Sequence, residues 1–66
     1  MNWSQVEGKW HQFKGSLQQK WGQLTDDDLD EIRGQQEILM GKIQERYGKT
    51  KEEARREVED WVKGLE

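Results

Sequence analysis

The chain has 66 residues, 30% of them hydrophobic and 38% charged, with a formal net charge of −3. A chain this short has room for one small core, and its composition borders on that of disordered segments, from which four Trp, one Phe and one Tyr draw it back. The lack of Cys excludes disulfides, thiol chemistry and cysteine-ligated metal, the lone His11 excludes a histidine metal cluster, and no apolar run approaches the ~20 residues of a membrane span.

The N-terminus lacks the basic-then-apolar order of a secretory signal, so the expectation is a single soluble, intracellular, non-enzymatic domain over residues 1–66. In chain order, Trp3, Val6, Trp10, Phe13, Leu17, Trp21 and Leu24 recur at spacings of 3, 4, 3, 4, 4 and 3. At about 100° per residue they share an arc of roughly 80°, which predicts one continuous first helix over about residues 4–21. Ser4 and Glu7 have the spacing of a capping box, and Gly22 is placed to supply a left-handed stop.

Thr25 and Asp28 repeat the cap pattern between Leu24 and Leu29, which have the positions of a hydrophobic staple. Asp26, Asp27 and Asp28 then occupy the positive end of a second, short helix, whose apolar edge is Leu29 and Ile32 and which stops before Gly34. A third helix is predicted over about residues 35–47, with Leu39, Ile43 and Tyr47 in line, Met40 beside them and Gly48 as its end. Thr50 and Glu53 form a further capping box and open a fourth helix, with Ala54, Val58, Trp61, Val62 and Leu65 on its face.

The two halves echo each other. Residues 13–22 match residues 39–48 in kind at an offset of 26, with Gly15/Gly41, Gln18/Gln44 and Gly22/Gly48 identical in type. Such an echo predicts an all-α fold without strands, a small four-helix bundle of two αα-hairpins packed crosswise. Gly8, Gly15 and Gly22 recur every seven residues opposite the aromatic stripe. Each costs about 1 kcal/mol relative to Ala inside a helix, so the first helix depends on its aromatic face.

The runs Trp21-Gly22-Gln23-Leu24-Thr25-Asp26-Asp27-Asp28 and Gly41-Lys42-Ile43-Gln44-Glu45-Arg46-Tyr47-Gly48, with Trp10-His11-Gln12-Phe13-Lys14-Gly15 and Trp61, resemble the bacterial CsbD-like family over nearly the whole chain. The resemblance implies a small cytoplasmic protein tied to general stress responses, with no established enzymatic activity or catalytic residues, folded as two crossed α-hairpins. Gln35 departs from the Lys that the resemblance leads one to expect after Gly34, and Leu65-Glu66 carry no weight, since a cloning junction would leave such a pair.

Asp26, Asp28, Asp30 and Glu37 stand at positions 1, 3, 5 and 12 of a calcium-binding helix–loop–helix pattern, but Glu31 occupies the position that requires Gly. The run therefore reads as a capped helix start. His11 reads as a surface histidine, and Glu52–Arg56 and Glu59–Lys63 as helix-surface ion pairs. Residues 1–24 set Lys9, Lys14 and Lys20 against Glu7, residues 25–37 set six acids against Arg33, and residues 38–66 balance seven against seven. Lys42, Arg46, Lys49, Lys51, Arg55 and Arg56 would have to cluster to bind nucleic acid, and the low pI of about 5.2 argues against it.

The expected structural core is Trp10, Phe13, Leu17, Trp21, Leu29, Ile32, Leu39, Ile43, Tyr47, Val58 and Trp61, and the expected caps are Ser4, Glu7, Gly22, Thr25, Asp28, Gly48, Thr50 and Glu53. No catalytic residue, cofactor, metal or small-molecule substrate is expected. The reading is a monomeric, cytoplasmic stress-response protein of undefined molecular activity, for which a protein partner is open but not required. Two alternatives stay open: an adaptor or membrane-surface module that presents the aromatic face of the first helix, and a weak nucleic-acid binder.

Overall fold

A computed structural model describes residues 1–65, and all regular structure among them is helical. The helices are α1 (Trp3–Gly8), α2 (Trp10–Lys20), α3 (Asp26–Ile32), α4 (Gln36–Tyr47) and α5 (Lys51–Gly64). The Cα radius of gyration is 10.6 Å. That is close to the roughly 11 Å of a fully packed chain this long, so the sparse apolar content suffices for collapse. α5 packs on α4, α4 on α3, and α2 on α1. Glu66, half of the suspected junction, lies outside the described residues.

The continuous first helix is not what forms: the chain breaks at Lys9, with φ −123° and ψ 39°, so there are five helices where four were expected. The Lys9 N–H is shared between the Gln5 and Val6 carbonyls, at 3.1 and 3.2 Å, which is the tightened geometry of a helix end. Gly8, a weak helix former, stands beside the break. The bend changes which stripe residue reaches the interior: Val6 has no exposed surface, whereas Trp10 and Phe13 are half-buried.

The first cap is also displaced. Asn2, rather than Ser4, starts α1: its Oδ1 accepts from the Gln5 N–H at 3.1 Å, and its own N–H donates to Gln5 Oε1 at 3.0 Å. Asn caps as well as Ser, and Gln completes the box as well as Glu, so the earlier pair takes the turn and leaves Ser4 and Glu7 exposed. Nor does Gly22 act as a left-handed stop. α2 ends on Trp21 at φ −117° and ψ 78°, and Gly22 does not have positive φ. A turn takes its place, in which the Leu24 N–H donates to the Trp21 carbonyl at 3.1 Å while the Gln18 side-chain amide donates to the Leu24 carbonyl at 3.1 Å.

The remaining ends follow the pattern. Thr25–Asp28 and Thr50–Glu53 both form reciprocal capping boxes, and Gly48, at φ 66°, closes α4. α3 stops at Arg33, the one non-glycine described residue with positive φ (47°), followed by Gly34 at φ 82°. Two left-handed residues in succession turn the chain sharply from α3 into α4.

The buried core comprises Val6, Leu17, Trp21, Leu24, Leu29, Ile32, Leu39, Met40, Ile43, Ala54, Val58 and Val62. Trp10, Phe13, Tyr47 and Trp61, expected at its centre, are instead packed against its outside, half-buried. For Tyr47 the polar tip explains this, because its hydroxyl accepts from the Gln23 N–H at 3.0 Å near the surface. Trp10 and Phe13 follow the bend at Lys9, and Trp61 lies edge to face on Trp21, which takes the buried place.

Candidate functional site

Two clusters gather the polar and aromatic side chains. The first begins at the cap of α3. The Thr25 N–H donates to Asp28 Oδ2 at 3.0 Å, and Thr25 Oγ1 accepts from the Asp28 N–H at 3.1 Å. Leu29 and Ile32 bury the neighbouring face of this short helix, and Asp28 goes in with them, only 2% exposed. A buried carboxylate must be paired, and α4 provides the partners. Arg46 donates from Nε to Oδ2 at 3.1 Å and from Nη2 to Oδ1 at 3.0 Å, a bidentate fork. One turn away, Lys42 Nζ stands 3.4 Å from Asp28 Oδ1 and also pairs with Glu31.

The Arg46 hydrogen bonds first, then the Thr25 amide, hold the Asp28 carboxyl well below the usual carboxylate range, against the opposing effect of burial. Asp28 in turn fixes Arg46 more firmly in its charged form, and Glu31 does the same for Lys42, with Asp28 adding to it. A group that exchanges protons near neutrality needs a pKa near neutrality. This carboxylate is instead ionised and occupied by donors from two helices, and it acts as an electrostatic joint between α3 and α4.

The second cluster is a row of indoles. Trp21 meets Trp61 edge to face with centroids 5.6 Å apart, and Trp61 meets Trp3 at 6.4 Å. Each outer indole N–H is used: Trp21 Nε1 donates to Glu57 Oε1 at 3.1 Å, and Trp3 Nε1 to the Gly34 carbonyl at 2.8 Å. Glu57 also pairs with Lys49 at 3.1 Å. Burial pushes the Glu57 carboxyl up, but the donors Trp21 and Lys49 outweigh it and leave its pKa lowered. The row ties α1, α2 and α5 together.

The acidic run of α3 does not converge on a cation. Asp26 and Asp30 are exposed, Asp28 is buried and paired, and Glu37 lies in the first turn of α4. Among the described residues, no three His, Asp or Glu side chains come together as a metal site requires. His11 is exposed, in a shallow cleft with Glu7, Gly8, Lys9, Trp10 and Gln12 at the bend between α1 and α2.

Four of the six basic residues around the α4–α5 turn are dispersed into ion pairs among the described residues, Lys51 and Arg56 being the exceptions: Lys42 with Glu31 and Asp28, Arg46 with Asp28, Lys49 with Glu57, and Arg55 with Glu52 and Glu59. The surface pairs expected between Glu52 and Arg56 and between Glu59 and Lys63 do not form. Arg55 lies three residues after Glu52 and four before Glu59, so one guanidinium bridges both carboxylates.

Asp28 is legible in the sequence as a cap but not as half of a buried pair, because Arg46 is 18 residues away on another helix. Its position beside Leu29 and ahead of Ile32, on the apolar edge of α3, was the available signal.

Small all-helical folding, the two acidic helix starts and the aromatic row together define a compact helical module. The chain belongs to the CsbD-like family, whose model matches residues 4–56. It is 54% identical over 65 residues to a UPF0337 protein of Rhodopseudomonas palustris, covering 98% of each chain. It is 52% identical over 61 residues to the UPF0337 protein YjbJ of Escherichia coli (strain K12), covering 92% of this chain and 88% of that one. A UPF0337 protein of Pectobacterium atrosepticum is 54% identical over 61 residues, with the same coverage of 92% and 88%. No solved structure matches the chain.

Proposed function

We propose that this is a non-catalytic, cytoplasmic, monomeric stress-response protein that acts as a folded helical module on a protein partner. Membership of the CsbD-like family across residues 4–56 is the observation that carries the reading. The geometry supports it, since the conspicuous charged groups hold helices to one another: Asp28 is engaged by Arg46 and Lys42, and Glu57 by Trp21 and Lys49. The crosswise packing of two helical hairpins belongs to the same proposal, supported by the contacts of α4 with α5 and of α3 with α4.

The membrane-surface alternative is weakened because no large hydrophobic side chain is exposed among the described residues. The nucleic-acid alternative is weakened by the ion pairing of Lys42, Arg46, Lys49 and Arg55. The adaptor alternative keeps one specific support, the half-buried Trp10 and Phe13 on α2.

The test is a strain lacking the gene, challenged with osmotic, acid and starvation stress, and complemented with the wild type or with Trp21→Ala. The reading expects a survival defect that the wild type rescues and the core variant does not, together with a protein captured by the folded chain from stressed cells. Full rescue by Trp21→Ala, or unimpaired survival under every stress, would contradict it.

A further inference from the structure

α1 differs from the other helices in how it is attached. With six residues it is the shortest of the five and, like the seven-residue α3, well under the ~12–15 that an isolated helix needs, so it relies on docking and its Asn2 cap to stay folded. It is separated from α2 by Lys9, whose backbone leaves the helical region, and Gly8 flanks that joint. Its attachments concentrate on a few points: Val6, with no exposed surface, the Trp3 ring against Trp61, and the Trp3 indole donating to the Gly34 carbonyl, while Met1 just ahead of it also packs against the core. Gly34 carries a further one, since it turns at φ 82° directly under Glu7. A Cβ there would come within 3.2 Å of Glu7 Cγ and 3.3 Å of Glu7 Cα. The close approach of two backbones is what this glycine permits.

We propose that residues 1–8 are a strap, hinged at Lys9, which opens as a unit while α2–α5 stay folded, and so bares the outer face of Trp61 and the α3–α4 turn. Cooperative opening of a segment below the global unfolding free energy is the general behaviour of short, few-point attachments. The electrostatic joint between α3 and α4 does not involve α1, so it stays intact when the strap lifts.

Residue-resolved amide hydrogen exchange on the full chain tests this, in the wild type and in two variants. In the wild type, the Glu7, Gly8 and Lys9 amides should share one protection factor at least tenfold below those of Leu39, Ile43 and Val58. Trp3→Phe keeps a ring against Trp61 but removes the donor to Gly34, and should lower protection of those three amides together by about fivefold to tenfold. Ile43→Val weakens the α4 core and should lower protection in α4 and α5 by a few-fold, while Glu7, Gly8 and Lys9 stay unchanged. If Ile43→Val shifts all amides equally, or if the α1 amides match α4 in the wild type, α1 opens only with the whole molecule and the strap does not exist.

Discussion

Arg46 grips the Asp28 carboxylate through two nearly equal hydrogen bonds, 3.1 and 3.0 Å, from a helix that begins only after α3 has ended. The side chain of Arg46 is 39% exposed while that of Asp28 is 4% exposed, so the pair is anchored on its acidic member. Removing the carboxylate leaves Arg46 able to reach water, whereas removing Arg46 leaves a buried charge with only Lys42 and the Thr25 amide to hold it. Asp28→Asn should therefore lower stability by about 1.5–3 kcal/mol, the range of a hydrogen bond to a charged group, and Arg46→Met by at least as much. Urea unfolding of both variants checks the order.

The same pair gives a pH dependence of definite sign. Asp28 titrates below its ordinary value of 3.8 in the folded chain, so the folded state binds fewer protons there than the unfolded one. The stabilisation is complete above that ordinary value and drains away progressively as pH falls below about 4. Glu53, held down first by the Thr50 amide, and Glu57 lie in the same direction. The unfolding midpoint should fall across this window in the wild type and fall less in Asp28→Asn. Equal falls would mean that Asp28 holds its proton equally well in the folded and unfolded chains, so that the Arg46 pair gives its carboxylate no net preference for the fold.

The caps separate two readings of the first helix. Thr25→Ala and Thr50→Ala each remove a reciprocal box and should cost roughly 0.5–2 kcal/mol. Asn2→Ala should cost a similar amount, about 0.5–2 kcal/mol, and Ser4→Ala close to nothing. Thermal or urea midpoints decide it; a cost at Ser4 with none at Asn2 would restore the later start.

Glycines with and without room behave oppositely. Gly15 and Gly41 lie inside α2 and α4 with open space where a Cβ would stand. Gly15→Ala and Gly41→Ala should each stabilise the fold by about 0.5–1 kcal/mol. Gly34→Ala meets both a positive φ and the Glu7 backbone, and should destabilise. Differential scanning calorimetry of the three variants should show two raised midpoints and one lowered.

Legibility in the sequence followed the range of the interactions. Thr25–Asp28 and Thr50–Glu53 are boxes closed within four residues, and Gly48 acts on its own helix, so local pattern sufficed for each. The apolar periodicity named Leu17, Trp21, Leu29, Ile32, Leu39, Ile43 and Val58, all buried. It failed where a local choice had two equivalent solutions: Asn2–Gln5 and Ser4–Glu7 are chemically similar boxes two residues apart, and the stripe runs unbroken through Lys9 although the backbone does not. Long-range partners carried no local mark at all. Nothing around Trp3 announces the Gly34 carbonyl 31 residues on, nor anything around Trp21 the Glu57 carboxylate.

The central claim is that the aromatic stripe of the first third of the chain belongs to the fold, with Trp21 inside and Trp10 at its margin. Trp21 is 2% exposed, packs against Trp61 and donates to Glu57, whereas Trp10 is half-buried. Far-UV circular dichroism of Trp21→Ala and Trp10→Ala, followed through thermal unfolding, tests this most directly. Trp21→Ala should lose about 3–5 kcal/mol and with it most of the helical signal of so small a domain. Trp10→Ala should stay helical with a midpoint lowered by the equivalent of about 1–2 kcal/mol. A Trp21→Ala variant that is fully helical and melts with the wild type would contradict the claim and make the stripe a binding face.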